Sequence, residues 1–306
     1  MNKIIHSTKQ IFSGENIGYL KVFAAGCLWG TIGLFVNLMS SVGADTSLTA
    51  FMRLFMGFLI LIPIMLHKGV SMFKIDRKGL FQCLLLGILS QALFNYCYII
   101  SIGSVGVATA SILLYTAPVF VCIMSRIFFK ESIGKIKVFA LIINITGCFL
   151  MVTGGNLSSL QLSVAGVFFG VAAGFLYSLV TIIGKIASGD IHPFTLVFYS
   201  FFFGWLAIGI FTSPWSSIKA LSGLKFWVYA LGYGLIPTVG SYILYMGGLR
   251  KKLEISKVPV IASVEVVVAT LIGVTVYRES LNYINVFGII ILLLSIAIMN
   301  MKLKRG

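Results

Sequence analysis

The chain has 306 residues, of which 59% are hydrophobic and only 10% are charged, and its mean hydropathy is +1.05. Soluble domains carry about 25% charged and about 45–50% apolar residues, so this composition excludes a soluble globular protein and places the chain in a lipid bilayer. A transmembrane helix takes about 20 apolar residues, so roughly ten helices would use nearly the whole chain and exclude a large catalytic domain in water. The five cysteines each lie alone within apolar segments, and we therefore expect neither a disulfide framework nor a bound metal or other cofactor.

Residues 1–18 are polar and form a predicted N-terminal tail, and ten apolar segments of spanning length follow. Each segment is predicted to be helical, because backbone amides in hydrocarbon must be hydrogen-bonded within their own segment. The predicted fold class is therefore all-α integral membrane, with ten transmembrane helices. In chain order the predicted spans are Tyr19–Met39, Thr46–Leu66, Leu80–Ser101, Val105–Phe128, Ile136–Val152, Val164–Ala187, Thr195–Phe211, Phe226–Leu249, Val258–Tyr277 and Val286–Asn300.

The distribution of basic residues predicts the orientation of these spans. With the N-terminus in the cytoplasm, 19 of the 23 Lys and Arg residues fall in cytoplasmic segments or at cytoplasmic helix ends. Lys219, Lys225 and Arg278 fall on the outer side, and Arg53 lies within a span. Membrane proteins carry this excess of basic residues in their cytoplasmic loops, so we expect both termini to be cytoplasmic. The same excess explains the net charge of +15 as a topology signal near lipid headgroups rather than as a nucleic-acid site.

The two halves of the chain are related by an offset of 148 residues. Lys130-Glu131-Ser132 aligns with Arg278-Glu279-Ser280, and eight of the 22 positions from residue 130 to residue 151 are identical to their counterparts. We interpret residues 19–153 and 164–301 as two copies of a five-helix unit. Because five is odd, the second copy enters the membrane from the opposite side, which gives an inverted-topology repeat of the kind that supports alternating access.

Several of these features resemble the EamA family of the drug/metabolite transporter superfamily. The resemblance rests on Trp29-Gly30, on Arg53, on the stretch from Ala108 to Glu131 with its Thr116-Ala117-Pro118, and on the second copy ending at Ser280. It covers nearly the whole chain as two consecutive EamA units. It implies a ten-helix carrier in a bacterial cytoplasmic membrane that moves small metabolites, usually outward, through a central cavity between its two halves.

Two charged side chains lie well inside predicted spans, where a charge costs at least about 2.5–3.5 kcal/mol and therefore indicates function. Arg53 lies about eight residues into the second span, and Glu265 lies about eight residues into the ninth. Their repeat counterparts, Phe201 and Ala117, are uncharged, so the five-helix unit itself requires neither charge. Glu265 is the predicted proton-coupling residue, and Arg53 is the predicted binding group for a substrate carboxylate or phosphate. The structural alternatives are a snorkelling Arg53 and a protonated, hydrogen-bonded Glu265 in the core.

Polar and aromatic residues near the centres of five spans complete the predicted substrate-binding set. An aromatic ring with a polar group suits amphipathic metabolites or organic cations, whereas the structural alternative is ordinary helix packing. Besides Arg53, the predicted binding residues are Trp29, Asn95, Tyr98, Tyr115, Tyr177, Ser241 and Tyr242. Pro118 and Pro237 interrupt the fourth and eighth spans and are predicted hinges, because proline removes a backbone hydrogen bond and kinks a helix.

The predicted function is secondary-active transport of amino acids or related amphipathic metabolites. Export is the expected direction, and the expected assembly is a monomer or a homodimer. An organic-phosphate or nucleotide-sugar antiporter of the same superfamily is the alternative, although it should place more basic residues inside the membrane than Arg53. A channel would need a filter motif, and an intramembrane enzyme would need a catalytic motif such as HExxH or GxSxG, and the sequence contains neither. The expected partners are a small-molecule substrate, the lipid bilayer and coupling protons.

Overall fold

The computed structural model describes residues 14–157, 160, 162–212, 214 and 223–300, and these residues fold into helices without any β-strand among them. In the first half of the chain the helices are α1 (Gly14–Trp29), α2 (Ile32–Ser41), α3 (Thr46–Lys68), α4 (Arg77–Gly87), α5 (Phe94–Leu114), α6 (Ala117–Phe129) and α7 (Lys135–Thr153). In the second half they are α8 (Val164–Ala187), α9 (Pro193–Thr212), α10 (Leu224–Tyr233), α11 (Ser241–Leu249), α12 (Val258–Ala262), α13 (Val264–Tyr277) and α14 (Tyr283–Asn300). The helical membrane class predicted from the sequence is confirmed.

Eight helical segments of the described residues are long and apolar enough to cross a membrane, whereas the sequence predicts ten spans. Predicted span four is divided between two helical segments, whereas predicted span eight is helical from Leu224 to Leu249 through a π turn but is not one of the eight. The segment Arg77–Leu114 runs for 38 residues through the predicted loop between spans three and four, and the helix after it, Ala117–Phe129, is shorter than a full span. Inside the long segment Gly106 leaves helical geometry, with φ 77° and ψ 165°, a conformation that glycine adopts without strain. The chain therefore kinks at Gly106 where the sequence predicts a separate loop.

Irregular turns occur at matching positions in the two halves of the chain. A π-helical turn spans Ile88–Leu93 in the first half and Gly234–Gly240 in the second. Helix α5 ends at Leu114 and helix α12 ends at Ala262, which are 148 residues apart, and a new helix starts within three residues of each end. The two halves therefore share one backbone plan that includes its departures from regular helix.

The ends of α6 and α13 also match. Each helix is closed by a residue in the left-handed conformation, Lys130 with φ 55° and Arg278 with φ 58°. The next backbone N–H, of Glu131 or Glu279, then donates to the carbonyl six residues earlier, at 3.4 Å and 3.1 Å. This bond pattern closes a helix within a single turn. The two repeat-related glutamates therefore lie immediately outside matching helix ends.

Glycines bring α1 directly against the break between α12 and α13. A Cβ atom at Gly26 would collide with the backbone carbonyl of Ala262, and one at Gly30 would collide with that of Glu265. Small residues at these positions allow backbone-to-backbone contact between membrane helices. The backbone of α1, and of Gly30 just after it, therefore packs directly against the backbone at Ala262 and Glu265.

Candidate functional site

A narrow cavity lies between the two halves of the chain. Its walls come from the ends of α5 and α12, from α6, α8 and α11, and from the first turn of α13. The free space holds only about one or two water molecules, so the cavity is nearly closed. The residues that line it are Leu114, Tyr115, Ala117, Pro118, Val121, Tyr177, Ser178, Thr181, Tyr245, Pro259, Ala262, Ser263 and Glu265.

Glu265 supplies the carboxyl group of this lining. Helix α13 begins directly after the break at Ser263, so Glu265 lies in its first turn, where the helix dipole stabilises negative charge. The neighbouring Ser263 hydroxyl is already engaged, because it donates to the Val260 carbonyl at 2.6 Å and accepts from Asn144 Nδ2 at 2.8 Å. In the part of the chain that the structure describes, the Glu265 carboxyl forms neither a hydrogen bond nor an ion pair. It is therefore available to a proton or a ligand in the cavity.

Arg53 lies in α3 with 8% of its surface exposed, outside the lining of the narrow cavity. Its guanidinium carbon lies 5.9 Å from the centre of the Tyr233 ring, which is a cation–π arrangement. Within residues 14–157, 162–212 and 223–300, its Nε has no hydrogen-bond partner and no carboxylate pairs with its guanidinium. A buried guanidinium without an anionic partner is an anion-binding group that is still available.

Trp29 is the centre of an aromatic cluster beside the cavity. The centre of its ring system lies 6.4 Å from that of Tyr177, 5.4 Å from that of Tyr242 and 4.8 Å from that of Tyr245. Its indole Nε1 is buried and has no partner among the described residues. The structure therefore brings Trp29, Tyr177 and Tyr242 together, and it places Tyr177 and Tyr115 in the same lining as Glu265.

Three polar residues of this region are missing from the sequence-based set. Gln91, in the first π turn, donates from Nε2 to the Tyr242 hydroxyl at 2.7 Å. The hydroxyls of Tyr245 and Thr181 share a hydrogen bond of 2.6 Å, and both residues line the cavity. Tyr245 could have been found from the sequence, because it follows Tyr242 by three residues and shares its helix face. Gln91 carries no such signal, because a π turn changes which residues share a face.

Three other predicted binding residues are held by their own surroundings. Asn95 donates to a backbone carbonyl one turn earlier in its helix, at 2.6 Å. Ser241 donates to backbone carbonyls of the π turn that precedes it. The hydroxyl of Tyr98 shares a hydrogen bond of 3.1 Å with that of Ser111. The lining of the narrow cavity does not include these three predicted residues.

Both predicted hinge prolines lie where the helical hydrogen-bond ladder is already interrupted. Pro118 lies in the first turn of α6, directly after the break at residues 115–116, where a proline costs no hydrogen bond. Pro237 lies inside the second π turn. There the Thr238 hydroxyl donates to the Tyr233 carbonyl at 2.7 Å, in place of the N–H that proline lacks. Pro118 lines the cavity, whereas Pro237 does not.

Known proteins are similar to this chain in sequence and in fold. The EamA-like transporter family matches the chain twice, over residues 16–153 and 164–301. An uncharacterized transporter of Archaeoglobus fulgidus is 29% identical over 275 residues, which cover 89% of this chain and 92% of that protein. The pseudopaline exporter CntI of Pseudomonas aeruginosa is 26% identical over 237 residues, which cover 74% of this chain and 78% of the exporter.

One crystal structure with 17% sequence identity has the same fold, with a TM-score of 0.74 over 92% of this chain and 96% of the other. The resemblance noted from the sequence motifs is confirmed by the two family matches. The protein is a multi-pass membrane transporter, and it belongs to the EamA-like transporter family.

Proposed function

We propose that the protein is a proton-coupled exporter of small amphipathic metabolites that works by alternating access. In this proposal ten transmembrane helices form two inverted halves, residues 19–153 and 164–301, with both termini in the cytoplasm of a bacterial cell. The observation that carries the proposal is the Glu265 carboxyl, which lies in a nearly closed cavity between the halves without a partner among the described residues.

The shape of the cavity supports alternating access. Its walls are shared, with Leu114 and Tyr115 from the first half facing Thr181 and Tyr245 from the second. A metabolite does not fit into the space of about one or two water molecules, so the halves must separate to admit it. Separation on one side at a time moves the substrate without opening a leak. The breaks after α5 and after α12 border the cavity, and the walls can bend there without losing regular helical bonds.

Glu265 suits an exchange of substrate for a proton. In an empty cavity of low dielectric the neutral carboxyl is favoured, whereas a bound cationic amine favours the carboxylate. Protonation and binding of an amine are therefore mutually exclusive. A substrate that enters from the cytoplasm displaces the proton and leaves outside, and a proton that returns from outside resets the site.

Arg53 and the aromatic cluster define the substrate class in this proposal. The available guanidinium of Arg53 suits a carboxylate, and the rings of Trp29, Tyr177 and Tyr242 suit an apolar body. An amine for Glu265 and a carboxylate for Arg53 describe an amino acid or a related amino-carboxylate. The Pseudomonas relative is named as an exporter, which supports outward transport. A phosphate antiporter is supported less well, because Arg53 is the single basic residue, among those that the structure describes, that lies well inside a predicted span.

Counterflow in proteoliposomes tests the proposal. Liposomes preloaded with a pool of metabolites should exchange amino-carboxylates, and liposomes without protein should not. Leu114→Trp places an indole in the cavity and should abolish exchange. Leu271→Trp, at a residue of α13 that is 51% exposed, should leave exchange unchanged. Equal exchange by both variants would show that the substrate does not pass through this cavity.

A further inference from the structure

Glu131 ties the end of the first half to the second half of the chain. It lies just after α6 and is half-buried. Its carboxylate accepts from the backbone N–H groups of Ile255 and Ser256, the latter at 3.0 Å, and from the Ser256 hydroxyl at 2.6 Å. These donors belong to the turn that leads into α12, and hence to the half-helix that ends at the cavity. Three charge-assisted hydrogen bonds therefore join the end of α6 to the turn before α12.

Basic residues reinforce the same contact. Lys137, at the start of α7, forms an ion pair of 2.6 Å with Glu254 and donates to the Ser256 hydroxyl at 3.1 Å. Lys257 pairs with the other oxygen of Glu254 at 3.2 Å. The side chains of Lys137 and Lys257 are 15% and 10% exposed, so the lysines are largely shielded from water, whereas the side chain of Glu254 is 44% exposed. By the distribution of basic residues, this is the cytoplasmic end of the protein.

Glu279 is the repeat counterpart of Glu131, and it makes none of these contacts. It follows the same left-handed helix end, at Arg278 instead of Lys130. Its side chain is exposed and folds back over Gly273 in the last turn of its own helix. Among the residues that the structure describes, its carboxylate forms neither a hydrogen bond nor an ion pair.

The repeat counterparts of Ile255 and Ser256 are Val107 and Ala108, and they differ from Ile255 and Ser256 in hydrogen bonding and in exposure. The helix restarts after Gly106, so the first N–H groups that follow have no carbonyl one turn earlier to bond. Val107 is 63% exposed, whereas Ile255 is 1% exposed. Thr109 lies in the same turn, and its buried Oγ1 has no partner within the described ranges. This turn therefore has the donors that Glu131 binds at the other end, without the carboxylate.

We propose that Glu131 and Glu279 are reciprocal latches that determine which side of the carrier is closed. In the state described here Glu131 holds the turn at residues 255–256, and the turn at residues 107–108 is released. When the carrier changes to the opposite state, the hydrogen bonds of Glu131 break, and the Glu279 carboxylate accepts hydrogen bonds from the N–H groups of Val107 and Ala108. This inference rests on the alternating access of the proposed function, but it assigns residues that touch neither substrate nor proton.

Hydrogen exchange of the full-length protein in nanodiscs, read by mass spectrometry, tests the latches without a transport assay. In Glu131→Ala, amides 252–259 should exchange at least about tenfold faster, the equivalent of one charge-assisted hydrogen bond. Amides 104–111 should become slower in the same variant, because Glu279 now occupies them. Adding Glu279→Ala to Glu131→Ala should restore fast exchange at 104–111, which is the double-mutant signature of a contact between them.

A purely local role for Glu131 predicts faster exchange at 252–259 alone, so unchanged exchange at 104–111 overturns the proposal. Equal slowing at 104–111 with and without Glu279 overturns it as well. The control is Asp190→Asn, which removes a pair with Lys78 whose side chains are 72% and 71% exposed, and it should change neither segment. Glu131→Gln keeps one acceptor oxygen and should show the same pattern at smaller amplitude. Reciprocal exchange without transport of any metabolite would retain the latches and remove the proposed function.

Discussion

Glutamine at position 265 separates proton coupling from substrate movement. Glu265→Gln keeps the size of the side chain and its hydrogen-bonding capacity, but the amide does not titrate. The described cavity lining contains one carboxyl group, so the proposed coupling moves one proton in each turnover. One pH unit corresponds to about 1.36 kcal/mol, so a gradient of one unit should support about tenfold accumulation of substrate.

The assay uses proteoliposomes that are acidic inside by one pH unit, with the membrane potential clamped at zero by potassium and valinomycin. The wild type should accumulate an accepted amino-carboxylate about tenfold, because each proton that leaves drives one substrate molecule inward. Glu265→Gln should reach equal concentrations inside and outside. It should still exchange labelled for unlabelled substrate at a reduced rate. The amide oxygen can accept a hydrogen bond from the substrate amine but lacks the charge of the carboxylate, and exchange requires no net proton transfer.

Asp190→Asn is the matched control, because it also removes one carboxylate and lies in an exposed pair far from the cavity lining. It should retain tenfold accumulation. Tenfold accumulation by Glu265→Gln would refute the coupling role and leave Glu265 as a binding residue. Loss of both accumulation and exchange would show that the substrate amine needs the negative charge of Glu265 to bind, and proton release on binding to the wild type would then test the coupling role.

Three further outcomes are expected. Arg53→Lys should insert normally but transport at a small fraction of the wild-type rate, because an ammonium lacks the planar fork for a carboxylate, and full activity of Arg53→Ala would contradict this role. Asn144→Leu should lose the bonds to the hydroxyls of Ser263 (2.8 Å) and Ser295 (3.0 Å) and lower the free energy of unfolding by about 1–3 kcal/mol. Calorimetry in detergent measures this, with Asn300→Ala as the control because, among the described residues, Asn300 bonds only within its own helix. Single cysteines that replace Lys74 and Lys252 should be labelled from the cytoplasmic side alone, and a cysteine that replaces Arg278 should be labelled from outside alone. Labelling of any of the three from the opposite side would contradict the predicted topology.

The helical membrane class, and the presence of a carboxyl group inside a membrane helix at Glu265, could be predicted because each depends on a one-dimensional signal. Long apolar segments must be helical in hydrocarbon, and a carboxyl in the middle of such a segment is costly enough to be informative. The number of continuous helices could not be predicted in the same way. The sequence predicts a helix on each side of residues 102–104, but it does not show that a kink at Gly106 takes the place of a separate loop.

The composition of the site depended on helix rotation and on irregular turns, which the sequence does not encode in a simple pattern. Asn95 and Ser241 are polar and near span centres, yet their hydrogen bonds go to their own helices. Gln91 reaches Tyr242 only because it lies in a π turn. Tyr245 could have been predicted from the sequence, because it follows Tyr242 by three residues and therefore lies on the same helix face.

Some charged residues have a charged counterpart in the other repeat and others do not, and we infer that this difference follows from their proposed roles as gate or binding site. A gate must close at either face of the membrane, and Glu131 and Glu279 are accordingly the same residue type at matching helix ends. The counterpart of Glu265 is Ala117, which lines the same cavity without a charge. A second carboxylate there would repel the first and would hold one proton between the two at all times, which would interfere with release to either side. Because the proposed amino-carboxylate substrate has no twofold symmetry, one carboxyl and one guanidinium orient it better than a symmetric pair of either. Symmetry in the proposed gates and asymmetry in the proposed site are therefore two consequences of moving one asymmetric substrate through two inverted halves.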